Sequence, residues 1–367
     1  MIPNTIWVII DFALFIWIVC LESKKFVFTN KLYLYPRISK INTNLIYVLI
    51  LIFCIYNKTG GDYFHYQNIL LEITSTKYPI SHMEYPYVFI VKLIGNNNFI
   101  FRFLIWSIAL TFVYVSLSIC HVNNKWGLFC FTIIVLISFA SGRVALAYSM
   151  FYCGYLITIE KHGILLKSLG VCLIILSFFF HKSILLLLLI GIVVPFFRVN
   201  TRFIIITLLV LPLISIAIDN YAQIILLGFA DMDGINYFTK ENEDFGLASK
   251  LSMFIRLTGV ILSMFGVNKL YRSNNLKIKI IDKVLFSFSY ILLYISFILM
   301  SINFGANSVS GRIRELSYFP FSIVICSAFN YDNKLSKLVT IGLILIFISD
   351  IYYFLYMYYL KTLGLGI

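Results

Sequence analysis

Charged side chains are scarce in this sequence of 367 residues. Asp, Glu, Lys and Arg make up 12% of it, whereas hydrophobic residues make up 61%. Because a soluble domain ordinarily contains about 25% charged residues, this composition excludes an ordinary soluble protein. The sequence predicts a polytopic integral membrane protein, with residues 1–367 forming a single transmembrane domain.

Acidic residues are the rarer charged kind. The chain has 16 Asp and Glu against 29 Lys and Arg, a formal net charge of +13. The basic residues fall in short clusters between apolar runs, as in loops held against the cytoplasmic leaflet of a membrane. The charge therefore indicates topology, and we expect contact with membrane lipid and none with nucleic acid.

Cysteine spacing of the metal-binding kind is also absent. The seven cysteines include no C-x-x-C pair, and most lie inside apolar runs, so they predict neither a disulfide framework nor a metal site. We expect no metal and no other cofactor. The first apolar run has its lysines after it, which predicts a retained span rather than a cleaved signal peptide.

Apolar runs long enough to cross a bilayer, about 20 residues each, recur along the chain. They predict an all-α fold with about twelve transmembrane helices. Residues 86–95 are apolar but too short to cross, so we expect an interfacial or re-entrant helix there. The predicted spans lie near residues 5–21, 41–57, 99–120, 126–141, 143–160, 163–180, 183–197, 203–219, 251–269, 284–303, 315–329 and 338–360.

Two long connections between the spans contain few basic residues. The positive-inside rule therefore places the loops near residues 58–98 and 219–250 outside the cytoplasm. The residues best suited to catalysis or to anion binding then lie at this same outer edge.

Asp62 and His65 lie in the first outer loop, in the sequence Gly60-Gly61-Asp62-Tyr63-Phe64-His65-Tyr66. Three residues apart, they would share one face of a short helix and form a base with its orienting partner. The alternative is a helix cap at Asp62, with the tyrosines in the interfacial aromatic belt. Both interpretations stay open.

His181 lies at the junction of two predicted spans, in Phe180-His181-Lys182-Ser183. A neutral imidazole at a membrane boundary can accept a proton from a hydroxyl group near neutral pH. The alternative is an interfacial histidine bonded to a backbone carbonyl.

Four arginines are candidates for binding a diphosphate, because a guanidinium offers a planar fork of donors whose charge does not titrate. Arg312 and Arg314 lie just before a predicted span, Arg143 lies between two spans, and Arg256 lies about one turn inside another. Alternatively, Arg143 extends to the lipid head groups and Glu315 neutralises a neighbouring arginine. Two mid-span acids, Asp11 and Asp350, are either functional or hydrogen-bonded between helices.

Three short patterns together carry a family resemblance. They are Gly60 to Tyr66, the arginine-led helix from Arg143 to Tyr155, and the Phe-His-x-Ser junction from Phe180 to Ser183. Over roughly residues 45–330 the chain resembles the EpsG/Wzy group of polysaccharide polymerases. Asp62, Arg143 and His181 match the motif positions, and Arg312 and Arg314 match them less closely because the spacing varies.

The resemblance implies a metal-independent glycosyltransferase of the bacterial inner membrane with a GT-C-like fold. It implies that undecaprenyl-diphosphate-linked oligosaccharide repeats are joined into O-antigen or capsular polysaccharide on the extracytoplasmic face. The base would be His181, or His65 oriented by Asp62, and a flippase and chain-length regulator of the same pathway would be partners. An O-antigen ligase-like transferase, a lipid-linked oligosaccharide flippase and a membrane acyltransferase stay open as alternatives.

Overall fold

The structure is a computed structural model. It describes residues 4–23, 26–28, 34–36, 42–58, 62–75, 84–120, 124–141, 144–160, 163–197, 199–200, 202–210, 247–273, 279–301, 307–331 and 337–362. Most of the predicted outer loop near 219–250 lies outside these ranges.

Helices dominate the described residues. A short 3-10 turn, Val194–Phe196, follows one of them, and residues 202–210 are also helical. The others are α1 (Asn4–Ser23), α2 (Thr43–Tyr56), α3 (Asp62–Ser75), α4 (Tyr85–Ile94), α5 (Asn98–Ile119), α6 (Asn124–Ile134), α7 (Leu136–Ser141), α8 (Ala145–Ile159), α9 (Ile164–Phe180), α10 (Ile184–Val193), α11 (Leu247–Ser273), α12 (Ile280–Ser301), α13 (Asn307–Tyr331) and α14 (Lys337–Thr362).

The described residues also contain a small β-hairpin. Strand β1 (Phe26–Phe28) pairs antiparallel with β2 (Leu34–Pro36), and Val27 lies opposite Tyr35. The predicted spans at 5–21 and 41–57 left this connection without secondary structure. The remaining described elements confirm a helical polytopic membrane protein.

Four described helices are long and apolar enough to cross a membrane, judged by length and composition: Thr5–Ser23, Asn98–Ile119, Ile280–Ile298 and Lys337–Tyr359. Five shorter apolar segments accompany them, at Thr43–Tyr56, Tyr85–Ile94, Ala145–Ile159, Ile164–Phe180 and Ile184–Phe196. Each predicted span overlaps a helical segment. The count of twelve stays a prediction.

One predicted span is divided in the structure, and the short segment before residue 95 has the predicted length. The stretch predicted as one span at 126–141 divides into α6 and α7 at Val135. Helix α4 has the ten residues expected of the short segment near 86–95. At about 1.5 Å per residue it is about 15 Å long, roughly half the thickness of the hydrocarbon layer.

Glycines allow two helix pairs to touch along their backbones. A Cβ placed on Gly154 of α8 would lie 2.5 Å from the carbonyl oxygen of Gly170 in α9. A Cβ on Gly259 of α11 would lie 2.6 Å from the carbonyl oxygen of Gly342 in α14. Small residues at such contacts are typical of helix packing in membranes, where van der Waals contact drives association.

We predict that Gly154→Ser lowers the thermal unfolding midpoint of the detergent-solubilised protein, because the new Cβ forces α8 and α9 apart. Overpacking of this kind costs about 1–3 kcal/mol. Gly163→Ser is the matched control, since a Cβ there has no neighbour within 4 Å and serine suits this helix N-cap. Equal midpoints for the two variants would contradict the close packing of α8 on α9.

Candidate functional site

Glu84 is the N-cap residue of α4, but its side chain does not cap the helix. Its backbone is extended, with φ −65° and ψ 147°, and its side chain makes no hydrogen bond to the first turn. Pro86 fits the first turn of the helix because that turn needs no N–H donor there. Gly95, with φ 74°, ends α4 in a conformation that favours glycine. The Glu84 carboxylate instead makes a contact outside its own helix.

That contact is with His181, the C-cap residue of α9. The backbone of His181 is extended, with φ −161° and ψ 122°, and its N–H donates to the Ser177 carbonyl at 3.1 Å. The His181 Nδ1 lies 2.6 Å from Glu84 Oε1. Both side chains are 13% exposed, so the pair is shielded but still reached by solvent.

The pair has the geometry of a base with its orienting carboxylate. With Glu84 ionised, Nδ1–H donates to Oε1, and the neutral imidazole keeps Nε2 as its proton acceptor. The carboxylate would also stabilise the imidazolium that forms when Nε2 takes a proton. Sequence reasoning proposed His181 but missed Glu84. The available signal was an acidic residue directly before a Tyr-Pro helix start, and nothing in it indicates a contact 97 residues away.

Four aromatic rings hold the helices that meet at this pair. Tyr66 of α3 packs on Phe101 of α5 with ring centroids 5.7 Å apart, and Tyr87 of α4 lies 6.3 Å from the same ring. Tyr87 also makes an edge contact, 5.4 Å, with Phe180 of α9. Because Phe180 precedes His181 and Tyr87 lies three residues after Glu84, this aromatic cluster fixes the ends that carry the pair.

Arg102, one residue after Phe101, caps the C-terminal end of α2. Its Nε donates to the Ile55 carbonyl at 2.7 Å, and its Nη2 donates to the Cys54 carbonyl at 2.5 Å. Trp106 Nε1 donates to the same Cys54 oxygen. The last carbonyls of a helix have no partner within it, and a cation at that end also interacts favourably with the helix dipole.

Arg102 also reaches the segment that leads to Arg143. Its Nη2 lies 3.5 Å from the Ala140 carbonyl near the end of α7. The end of α2, which leads to Asp62, and the end of α7, which leads to Arg143, are therefore held by one side chain. Asp62 is the first residue of α3 and His65 follows in its first turn. The side chains of these two residues, and Arg143 itself, lie outside the described residues.

Arg312 and Arg314 lie within helix α13, not in a loop before it as the sequence predicted, because that helix begins five residues earlier at Asn307. Arg312 is exposed and Arg314 is half-buried. Residues two apart on a helix do not face each other. Neither these two arginines nor Arg256 forms a hydrogen bond or ion pair with the His181 side chain.

The described residues contain no group of three or more His, Cys, Asp or Glu side chains that could hold a metal ion. Metal independence stays a prediction, because several acids and histidines of the sequence lie outside these ranges.

A sequence model of the EpsG family matches residues 41–364. The chain belongs to the EpsG family. Every predicted site residue, from Asp62 to Arg314, lies within the matched range. The family indicates a membrane protein of the polysaccharide polymerase type. Searches of curated proteins and of solved structures found no match.

In this EpsG family protein, Arg256 already has an anionic partner. Its Nη1 donates to Asp350 Oδ1 on α14, and its Nη2 donates to the Ile134 carbonyl at 2.6 Å. The guanidinium carbon also lies 4.7 Å from the ring centroid of Tyr318. Asp350 is 1% exposed. The two charges therefore compensate each other in the interior, where an unpaired charge is costly.

The Arg256 contact explains the division of the span predicted at 126–141. The Ile134 carbonyl, at the last residue of α6, accepts a hydrogen bond from Arg256. The α-helix is interrupted at the next residue, Val135. Arg256 thus ties three helices together, which is a structural role distinct from the diphosphate binding that the sequence predicted.

We predict that Arg256→Met and Asp350→Met each lower the thermal unfolding midpoint, while the double variant recovers most of the loss. Removing one member of a buried pair costs about 3–5 kcal/mol because the other charge stays unpaired, whereas an apolar replacement of both is often neutral. Glycan polymerisation should be assayed on the same proteins. A stable double variant that retains polymerisation would exclude Arg256 from diphosphate binding, and a stable inactive one would favour it.

Proposed function

We propose that this protein joins undecaprenyl-diphosphate-linked oligosaccharide repeat units into a polysaccharide, on the extracytoplasmic face of the bacterial inner membrane. The observation that carries the proposal is the Glu84–His181 pair, 2.6 Å apart at the junction of α9 and α10. It supplies an oriented base in a chain of the EpsG family. Twelve spans, a GT-C-like architecture, and a flippase and chain-length regulator as partners belong to the same proposal.

The proposed reaction needs one base. A hydroxyl oxygen of the acceptor sugar attacks the anomeric carbon of the growing chain, and the bond from that carbon to the lipid diphosphate breaks. The hydroxyl proton passes to His181 Nε2, and the diphosphate leaves with the bonding electron pair. Glu84 then faces an imidazolium across the Nδ1 hydrogen bond, which favours proton transfer in the transition state.

Arginines would compensate the charge that develops on the leaving diphosphate. We propose Arg143, Arg312 and Arg314 for this role, since fixed cationic donors stabilise the transition state more than the ground state. Such donors also make a metal ion unnecessary. Arg256, already paired with Asp350, would support the fold around them.

A second candidate base is His65 oriented by Asp62. Its helix, α3, packs through Tyr66 on the ring of Phe101, which Tyr87 of α4 also contacts. The aromatic cluster that holds the ends of α4 and α9 therefore also holds the helix of His65. The two candidate bases must be tested in parallel.

We predict that purified wild-type protein in nanodiscs extends undecaprenyl-diphosphate-linked repeat units into a ladder of longer products on a gel. General base catalysis contributes about 10²–10⁴-fold, so His181→Ala should lose about that much rate. Glu84→Gln should lose less, because the amide still accepts a hydrogen bond but carries no charge. Glu160→Gln, at the far end of α8, is the matched control and should retain activity.

The outcomes separate the candidate functions. An active His181→Ala variant and an inactive His65→Ala variant would move the base to α3. Full activity in Glu84→Gln would reduce the pair to a structural contact. A wild-type protein that moves the lipid-linked repeat across the bilayer without extending it would be a flippase, and one that transfers glycan only to a lipid core would be a ligase.

A further inference from the structure

A second polar site lies at the other end of α10 from His181. A cavity of about 290 Å³ opens where the residues after α10 meet the end of α11 and the start of α12. The segment Ile184–Phe196 lies between the two sites. Its 13 residues extend about 20 Å at 1.5 Å per residue, so the cavity is separate from the Glu84–His181 pair.

The cavity presents two cations and several neutral hydrogen-bonding groups. None of its lining residues is acidic. The side chains of this basic pocket that can donate hydrogen bonds to an anion are Asn200, Asn268, Arg272 and Lys283. A guanidinium and an ammonium group beside two amide groups form suitable surroundings for a phosphate group.

Hydrogen bonds fix one wall of the basic pocket. Ser287 Oγ donates to the Phe197 carbonyl at 3.2 Å and accepts from the Val199 N–H at 3.3 Å. The chain that leaves α10 is thereby held against α12. Arg272 lies in the last turn of α11, where a cation interacts favourably with the helix dipole.

Exposed apolar side chains lie within a few residues of the chain segments that line the basic pocket. Phe196 is 85% exposed, Phe197 is 46% exposed, and Ile280, one turn before Lys283, is 75% exposed. In a membrane such surfaces contact acyl chains. The pocket and these side chains therefore combine an anion site with a lipid-facing surface, which matches the two parts of a phospholipid.

We propose that the basic pocket binds the phosphate head group of an anionic membrane phospholipid, with its acyl chains along Phe196, Phe197 and Ile280. Basic pockets between transmembrane helices on the cytoplasmic side are a recurrent form of lipid site. The positive-inside pattern predicts that this edge of the protein is cytoplasmic. The inference stands apart from the catalytic proposal, because it uses no residue of that site.

The test is native mass spectrometry of the full-length protein titrated with phosphatidylglycerol or phosphatidylcholine. The wild type should retain phosphatidylglycerol more tightly. In the double variant Arg272→Gln with Lys283→Gln, the apparent affinity for phosphatidylglycerol should fall by at least tenfold. Each basic group near a membrane surface raises the affinity for an anionic lipid by about fivefold. Lys269→Gln with Lys279→Gln removes the same charge from exposed positions outside the pocket and should change the affinity by less than about twofold.

Equal losses in the two double variants would contradict the proposal, because they would indicate diffuse surface charge. Equal affinity of the wild type for the two lipids would contradict it as well. Inorganic phosphate that binds as tightly as phosphatidylglycerol, and displaces it, would assign the pocket to free phosphate. The single variant Arg272→Gln should show about half of the effect on a logarithmic scale, which keeps the test valid if the double variant fails to fold.

Discussion

The buried end of α2 is the constraint on which the candidate active edge depends. In a membrane protein, helix carbonyls that face neither water nor another donor are costly. Arg102, 3% exposed, meets this need with donors to Cys54 and Ile55, and Trp106 adds another to Cys54. Just beyond the helix, the Lys58 N–H donates to the Asp11 carboxylate at 2.9 Å. One helix end is thereby tied to both α5 and α1.

The position of the proposed catalytic groups follows from that attachment. Chain segments that lead to Asp62 and to Arg143 both leave from backbone that Arg102 contacts. Phe101, its neighbour, supports α3 and α4 through Tyr66 and Tyr87. Helix α4 then presents Glu84 to His181. Three motifs that lie far apart in the sequence thus share one set of packing contacts, which also places the Glu84–His181 pair at a helix junction.

Composition and apolar run length predicted the helical membrane fold well, because both follow from the cost of exposing polar backbone to lipid. The contacts that shape the site could not be predicted in the same way. Glu84 and His181 are 97 residues apart, and Arg256 and Asp350 are 94 apart, so only the tertiary structure pairs them. Asp11 was predicted as a mid-span acid of undetermined role, and Arg102 gave no signal beyond a single charge at the start of an apolar run.

Hydrogen–deuterium exchange of Arg102→Met in nanodiscs tests most directly whether this side chain organises the edge. Peptides covering residues 53–70 and 137–148 should exchange faster than in the wild type, while those from α11 and α14 should keep their wild-type rates. That pattern would establish a local anchor beneath the proposed catalytic groups. Unchanged exchange at both segments, or a uniform rise across all helices, would contradict it.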